Sequence, residues 1–398
     1  MISSLKDVAR KCYYRFVPTP EYAGTTIDNA FPEAEKTVLR ESRDVPIPDA
    51  DAIPFPQYLD HLPYLGGTYR TPTVSTCCLE DVLLCPDNNV ALTQDFEIIA
   101  ETVGPGMRAD YVNNKTLWKN KKRIERIEGV CTPLRSHYTA YSHFLLDELP
   151  RFNVLNHDYF RQFEEIKVLC SGGLHSGPDA VDQNHAMTDE AFFLDRLAPS
   201  NVTFVPLERG RLYSLEKYLF LPFVTKRGSW YLPQSYVSRF RSRVCPSVER
   251  GGSNDRLYIA RSKAPRRRIL NEGELSEELA SLGFETHHTE DYHPEKQRRL
   301  FKNAEVIVMP HGSGIANLLY ADHAKVLVIY GTEYTFPHNY FLCKSLGHEY
   351  QYMCGNRRDP DGNFTVDPAA VTTRVEEMMG SPPRGAPDVT AQTKSSHD

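Results

Sequence analysis

The sequence predicts an α/β fold with a mostly parallel sheet in its second half. Short apolar runs rich in β-branched residues alternate with segments of helical spacing between residues 256 and 355. Repeated strand–helix–strand units join through right-handed crossovers and build a doubly wound sheet. Ligands of such sheets bind outside the carboxyl ends of the strands, so functional residues are expected there.

Composition excludes several classes of protein. The chain has 398 residues and a formal net charge of -6, whereas nucleic-acid binders are usually basic, so no nucleic-acid partner is expected. Apolar runs fall short of the ~18 residues that a membrane helix needs, and the first residues lack the apolar stretch of a signal peptide. The nine cysteines include no CxxC pair, which signals neither a zinc site nor a disulfide framework. We therefore expect a reducing, cytoplasmic setting.

The N-terminal part reads as an extension to the folded domains. Residues 1–16 place apolar side chains at helical spacing beside basic ones, which favours a short surface helix or a frayed end. Peripheral contact with an anionic membrane surface is the alternative. The proline-rich remainder of segment 1–72 predicts a loop that wraps a domain surface.

Two domains follow this segment. In the first, residues 73 to about 130 predict short strands, and a helical pattern covers 140–155. A Gly- and Ser-rich stretch around 245–255 separates it from the alternating strands and helices. The predicted parts are an N-terminal domain over 73–247, a C-terminal domain over 254–355, a helix over 366–379 and a disordered tail over 380–398.

The stretch "MPHGSGIANLLY" places glycines where a predicted strand becomes a predicted helix. His311, Gly312, Ser313 and Gly314 occupy the turn. Glycines allow close approach of a ligand to the backbone, and a helix N-terminus attracts anions, so a diphosphate site is one interpretation. A turn needed only for packing is the other. Asn317 stands where a dinucleotide fingerprint has its third glycine, and the spacing of a nucleophile elbow is absent.

Basic residues follow the strand "RLYIA". Arg261 stands at its carboxyl end, and Arg266, Arg267 and Arg268 follow in the same loop. A guanidinium suits phosphate oxygens because it offers paired N–H donors. A solvated basic loop is the alternative. The helix after this loop is expected to begin with a capping box of Asn271 and Glu274.

A third motif, "YSHFLLDELPRF", lies on the helical pattern at 140–155. His143 and Asp147 are four residues apart and share a helix face, which would let them deprotonate a hydroxyl. A solvent-facing polar stripe explains the same spacing. Pro150 is expected to end or kink the helix.

Taken in order, the three motifs resemble glycosyltransferase family 61. The family pattern "H-W-L-x-D-x-L-P-R" corresponds to "YSHFLLDELPRF", the arginine strand end to "YIARSKAPRRRILNE", and "HGAGLTN" to "HGSGIAN". The resemblance implies a GT-B architecture of two Rossmann-like domains facing across a cleft. It also implies inverting transfer of a sugar from a nucleotide donor, commonly a UDP-sugar, without a metal or another cofactor. A glycan or glycoconjugate would accept the sugar.

The resemblance also implies roles for individual residues. Asp147 or His143 would be the catalytic base and would face the acceptor. The residues expected to hold the donor are Arg261, Arg266, Arg267, Arg268, His311, Gly312, Ser313, Gly314 and Asn317.

The chain departs from the family pattern at two informative positions. Phe144 replaces the tryptophan after the histidine, and Val328 replaces a glutamate that the family usually carries in that strand. Glu333, five residues further, is a candidate substitute for the missing carboxylate in donor binding.

Other functions remain as alternatives. The loss of the glutamate fits a catalytically silent nucleotide- or sugar-binding module. A Rossmann oxidoreductase and a hydrolase using Ser313 are the remaining rivals. The two D-x-D triplets, Asp49/Asp51 and Asp359/Asp361, lie in proline-containing loops and are interpreted as loop residues, so no metal site is expected.

Overall fold

The structure is a computed structural model, and it describes residues 24–47, 62–87, 89–103, 124–135, 140–171, 189–225, 229–245, 255–331, 337–356 and 359–380. Strands and helices alternate in these segments and form three sheets, which confirms a mixed α/β fold. The predicted GT-B arrangement of two facing Rossmann-like domains and the domain boundaries stay predictions. Within the described segments, no helix is both long and apolar enough to cross a bilayer.

The largest sheet belongs to the first half of the chain and is mixed. Its strands are β1 Gly24–Thr25, β2 Thr37–Arg40, β6 Val74–Cys85, β7 Val90–Leu92, β8 Ile98–Ile99, β9 Ile124–Pro133, β10 Ile166–Ser171, β11 Val202–Leu207 and β12 Leu212–Phe220. Their order is β1-β8-β7-β6-β12-β9-β10-β11, with β2 also paired to β6. The block β12-β9-β10-β11 is parallel, whereas β6 runs antiparallel to β12, β2 and β7.

Part of the proline-rich segment forms strands where a loop was predicted. A small antiparallel sheet contains β3 Asp44–Pro46, β4 Tyr64–Leu65 and β5 Thr68–Arg70, while β1 and β2 join the large sheet. These strands have two to four residues, too few for an alternating pattern to stand out. Pro46 lies in β3, an edge strand of this small sheet, where the missing N–H is tolerated.

The C-terminal sheet is entirely parallel, as the sequence predicts. Its strands are β13 Asp255–Ile259, β14 Phe284–His287, β15 Ala304–Pro310, β16 Lys325–Tyr330 and β17 Glu349–Cys354. The order β14-β13-β15-β16-β17 is the doubly wound order 2-1-3-4-5. The chain reverses its winding direction between β13 and β15, so the ligand crevice is expected at the carboxyl ends of these two strands.

The helices differ from the prediction at two places, a π-helical turn and a helix N-terminus. The α-helices span Ile27–Ala30, Tyr141–His143, Leu149–Phe152, Glu190–Leu197, Gln234–Val244, Glu272–Ser281, Pro294–Lys302, His338–Leu346 and Pro368–Gly380. Phe144–Glu148 forms a π-helical turn between two short α-helices, which accommodates Pro150 in the first turn of the second. Asn271 is the N-cap residue of its helix, as predicted, and its amide donates to Glu274 Oε2 at 3.3 Å. The hydrogen bonds of a capping box do not form, because Asn271 makes no cap hydrogen bond, and its amide also donates to the Val366 carbonyl at 2.9 Å.

One apolar core connects the two larger sheets. It includes Leu145 from the π-helical turn, Phe240 from the helix Gln234–Val244 and Tyr320 after β15. The rings of Phe240 and Tyr320 lie 5.5 Å apart. The Arg241 guanidinium donates to the carbonyls of Ala321 at 2.6 Å and Leu346 at 3.1 Å, which fastens the same helix to the C-terminal half.

Candidate active site

A pocket opens at the predicted reversal point of the C-terminal sheet. The pocket is open to solvent and encloses about 580 Å³ when that solvent is included. We call it the switch-point pocket. Its lining residues are Tyr141, Ile259, Ala260, Arg261, Ala264, Thr289, Glu290, Gln297, Met309, Pro310, Gly312, Ser313 and Gly314. Tyr141 is the contribution of the first half of the chain.

Arg261 supplies the pocket with a cation directly after β13. The backbone N–H of Arg261 donates to Glu272 Oε1 at 2.8 Å, and the Tyr258 hydroxyl donates to the same oxygen at 2.9 Å. The side-chain Nε of Arg261 donates to the Arg266 carbonyl at 3.3 Å. Buried Glu272 therefore fixes the end of the strand, and the following loop directs the guanidinium.

Gly312 provides the space in which the Arg261 guanidinium lies. Its backbone is extended, with φ -179°, a conformation open to any residue. A Cβ atom at this position would stand 2.1 Å from Arg261 Nη1 and 2.8 Å from Cζ. The glycine is therefore required by the close approach of the arginine rather than by backbone conformation.

The turn after β15 differs from the prediction. Ser313–Leu319 is a 3₁₀ helix of seven residues, not the start of an α-helix. An anion in the switch-point pocket would therefore depend on the Arg261 guanidinium and the Gly312–Gly314 backbone rather than on an α-helix macrodipole. Seven residues show too little periodicity to distinguish the two kinds of helix from sequence.

The first and third motifs meet beside the pocket. The Tyr141 hydroxyl donates to Asn317 Oδ1 at 2.6 Å and lies 3.2 Å from the Tyr320 hydroxyl. Desolvation raises the pKa of Tyr141, which keeps the phenol protonated as a donor. The Ser142 and Ser313 hydroxyls are 3.5 Å apart. Asn317 thus joins the two halves of the site from behind and does not line the pocket.

His143 and Asp147 form the pair that their spacing predicts. His143 Nδ1 lies 2.6 Å from Asp147 Oδ2, and the Trp230 indole N–H donates to Asp147 Oδ1 at 3.2 Å. Asp147 is 7% exposed, whereas 30% of the His143 side chain is exposed. Both carboxylate oxygens are thus engaged, while the imidazole reaches solvent. The π-helical turn that carries Asp147 is a form frequent at functional sites.

Two further histidines continue from this pair towards the glycine turn. The His338 ring lies 4.2 Å from the Trp230 ring and 5.3 Å from the His311 ring. His311 is stacked on Tyr330, and its Nδ1 lies 3.0 Å from Asn339 Nδ2. Desolvation, with the His143 and Arg267 charges, lowers the pKa of His338 to about 3. Desolvation also lowers the pKa of His311, so both rings are neutral near pH 7.

The arginine run does not enter the pocket as a group. Arg266 is exposed and contributes its carbonyl to Arg261. Arg267 has a left-handed backbone, with φ 60°, and its charge acts on His311 and His338. Arg268 is held through its backbone N–H, which donates to Asn363 Oδ1 at 2.9 Å. Glu333 lies outside the described residues.

Sequence reasoning missed Trp230, His338, Glu290 and Gln297. Trp230 and His338 stand as single residues without a local pattern, and only tertiary packing brings them to the His143–Asp147 pair. Gln297 lies in the helix Pro294–Lys302 and lines the pocket together with Glu290. The order of the strands, which no local pattern reveals, is what brings these two residues to the pocket.

The remaining acidic and cysteine side chains of the described segments form neither a metal site nor a disulfide. There, no group of three or more His, Cys, Asp or Glu side chains is arranged to hold a metal ion. Asp359 accepts from the Asn363 backbone and side chain, at 2.8 Å and 3.0 Å, whereas Asp49 and Asp51 lie outside the described residues. The eight described cysteines are not joined in disulfides, and desolvation raises the pKa of Cys131 and Cys170 to about 12.

The described part of the chain is thus an α/β protein with an arginine-lined pocket at the reversal point of a parallel sheet. Residues 141–328, a little under half of the chain, match the family described as Glycosyltransferase 61. This match supports the resemblance to glycosyltransferase family 61 that the motifs suggested, and it begins at the tyrosine beside the His143–Asp147 pair. The family implies glycosyl transfer between a donor and an acceptor. A sequence search of the curated proteins finds no match to this chain.

Proposed function

We propose that this protein transfers a sugar from a nucleoside diphosphate donor, a UDP-sugar, to a hydroxyl of a glycan or glycoconjugate acceptor. The transfer inverts the anomeric centre and uses no metal ion. The observation that carries the proposal is the Arg261 guanidinium, which lies against Gly312 at the reversal point of the parallel sheet. The His143–Asp147 pair approaches the same turn through Ser142 and Ser313.

The donor diphosphate binds in the switch-point pocket. When the bond between the sugar and the phosphate oxygen breaks, its electron pair moves to the leaving diphosphate. Arg261 and the backbone of Ser313 and Gly314 stabilise that charge, and fixed groups of this kind contribute several kcal/mol in comparable sites. Arg267 adds positive charge near His311. Arg266 acts through its carbonyl, which orients Arg261.

The acceptor hydroxyl approaches from the side of the His143–Asp147 pair. Its oxygen attacks the anomeric carbon in line with the leaving group, and its proton passes to the base. The partly exposed imidazole of His143 with a buried aspartate behind it is the usual arrangement of a base and its orienting group. We therefore assign His143 as the base and Asp147 as the residue that orients it.

A catalytically silent binding module of the same fold is the second candidate. Val328 supports it, because this family position usually carries a glutamate and the valine is fully buried in β16. The two functions differ in one observable, which is the release of sugar to an acceptor.

The setting and the acceptor are part of the proposal. Composition favours the cytoplasm, with peripheral membrane contact through residues 1–16, which lie outside the described residues.

Nucleotide binding followed by transfer tests the proposal. In a thermal-shift titration with UDP, GDP, CDP, ADP and NAD, we expect UDP to stabilise the chain selectively, with the same shift in EDTA. Arg261→Ala should weaken UDP binding more than tenfold, because a charged hydrogen bond contributes roughly 1.5–3 kcal/mol. Asp147→Asn should keep UDP affinity and lose transfer.

The outcomes separate the alternatives. Unchanged UDP affinity in Arg261→Ala would remove this residue from the donor site. Tight UDP binding without transfer to any tested glycan would favour the silent module, whereas stabilisation by NAD alone would revive the oxidoreductase.

A further inference from the structure

One wall of the switch-point pocket carries a buried hydrogen-bond acceptor. Gln297 is 2% exposed and lines the pocket. Its Nε2 donates to the Tyr292 carbonyl at 2.7 Å, which fixes the orientation of the amide. Its Oε1 has no hydrogen-bond partner among the residues that the structure describes. A buried acceptor without a partner costs roughly 1–3 kcal/mol, so its position at a pocket points to a ligand that donates a hydrogen bond.

A carboxylate shares this wall. Glu290 lines the pocket in the 3₁₀ turn Thr289–Asp291, which directly follows β14. Asp291 pairs with Lys263, whereas the Glu290 carboxylate makes no hydrogen bond or ion pair with any described residue. The wall formed by Glu290 and Gln297 is therefore rich in acceptors.

Other residues of the lining have the reverse polarity. Arg261 supplies a cation to the same pocket, which Ser313 and Gly314 also line. Gly314 lies close to the segment that carries Glu290, since a Cβ atom there would lie 3.6 Å from Thr289 Oγ1. A ligand that contacts both sets of residues is thus anionic in one part and offers hydrogen-bond donors in another.

We infer that Glu290 and Gln297 bind the ribose hydroxyls of the donor nucleoside while Arg261 holds its diphosphate. The inference rests on the proposed nucleotide-sugar donor and adds which residues recognise its nucleoside. In dinucleotide-binding proteins with a doubly wound sheet, an acidic residue binds the ribose 2′-hydroxyl, which shows that a carboxylate suits this contact. Glu290 lies in the 3₁₀ turn after β14, the second strand of this sheet in chain order. Glu290 then supplies the donor-binding carboxylate that was considered above for Glu333. The valine at position 328 therefore does not deprive the site of a carboxylate for ribose.

Analogues of UDP test the inference, since each nucleotide analogue lacks one hydrogen-bond donor of UDP. Calorimetry on the full chain would use UDP, 2′-deoxy-UDP, 3′-deoxy-UDP, N3-methyl-UDP and inorganic diphosphate. We expect at least one deoxy analogue to bind about tenfold more weakly than UDP, because the Glu290 hydrogen bond is lost. N3-methyl-UDP should bind like UDP.

Variants of Glu290 and Gln297 test whether these two residues cause the weaker binding of the deoxy analogues. In Glu290→Ala, the difference in affinity between UDP and the deoxy analogue should become smaller, while diphosphate should bind as it does to the unchanged chain. Gln297→Met, which preserves volume, should reduce the same ribose discrimination. Glu285→Ala is the matched control, because Glu285 is a 79% exposed carboxylate on β14 outside the pocket.

Each contrary result has a distinct meaning. Loss of affinity only with N3-methyl-UDP would assign the acceptors to the base and overturn the ribose assignment. Ribose discrimination that survives in Glu290→Ala and Gln297→Met would overturn the inference while leaving the proposed function intact. Failure of both UDP and diphosphate to bind the unchanged chain would instead contradict the proposed function.

Discussion

At the scale of the residue, Trp230 connects backbone strain to the candidate base. Its φ of 44° is in the left-handed region, which is rare for a large side chain and costs on the order of 1–3 kcal/mol. Strained residues of this kind cluster at functional sites. The strained backbone places the indole N–H 3.2 Å from Asp147 Oδ1, opposite the oxygen that meets His143. We infer that Trp230 is a positioning residue that acts through Asp147.

Trp230→Phe tests this role because it retains an aromatic ring and removes the N–H donor. We expect kcat to fall about tenfold, while KM for the donor changes little, since one hydrogen bond to a charged group contributes roughly 1.5–3 kcal/mol. An unchanged kcat, or a rise in the KM for the donor that equals the fall in kcat/KM, would show that Trp230 has no positioning role at Asp147.

At the scale of the element, the turn after β15 leaves room for the side chain of Arg261, which follows β13. The extended Gly312 backbone leaves room for the guanidinium, and the terminal atoms of a flexible side chain are the only ones that an added methyl group would meet closely. A substitution at this position should therefore change ligand binding much more than the stability of the fold. A methyl group at residue 312 moves Arg261 and leaves the sheet in place.

Gly312→Ala should weaken UDP binding more than tenfold and shift the melting temperature by only a few degrees. The affinity is lost because the displaced guanidinium no longer faces the diphosphate, as argued for Arg261→Ala. Gly273→Ala is the matched control, since a Cβ atom there has no neighbour within 4 Å. Calorimetry and thermal unfolding of both variants provide the measurements. Equal UDP affinity in the two variants would show that the close approach of Arg261 to Gly312 has no part in binding.

The same elements show which contacts of the candidate site local sequence patterns predict and which they do not. The spacing of His143 and Asp147 predicts their contact, because four residues make about one helical turn. The strand ends predict that Arg261 and the glycine turn share one edge. The arginine run gives no hint which member faces the pocket, since the backbone of Arg268 is occupied by Asn363, 95 residues away. Glu290 reaches the pocket only through the order of the strands, which local patterns do not contain.

At the scale of the whole molecule, two buried histidines make the stability of the fold depend on pH. His348 is 3% exposed; its Nδ1 lies 3.2 Å from the Ala324 backbone N and its Nε2 3.0 Å from the Leu318 carbonyl. His311 is 8% exposed and lies beside the pocket. Desolvation lowers the pKa of His348 to about 4 and that of His311 well below its usual value. The folded protein thus holds both rings neutral at a pH where the unfolded chain takes up protons.

The free energy of unfolding should therefore decrease as the pH falls below about 6.5, the value for an unfolded histidine. Each buried histidine contributes up to about 1.4 kcal/mol per pH unit, and His348 does so until the pH approaches its folded pKa of about 4. In His348→Gln, urea unfolding between pH 6 and 4.5 should show a slope smaller by about one proton, whatever the loss of overall stability. His323→Gln, at a 57% exposed position, should keep the slope of the unchanged chain. Equal slopes in all three proteins would mean that His348 is already protonated in the folded state, and its Nδ1 would then not accept the Ala324 N–H.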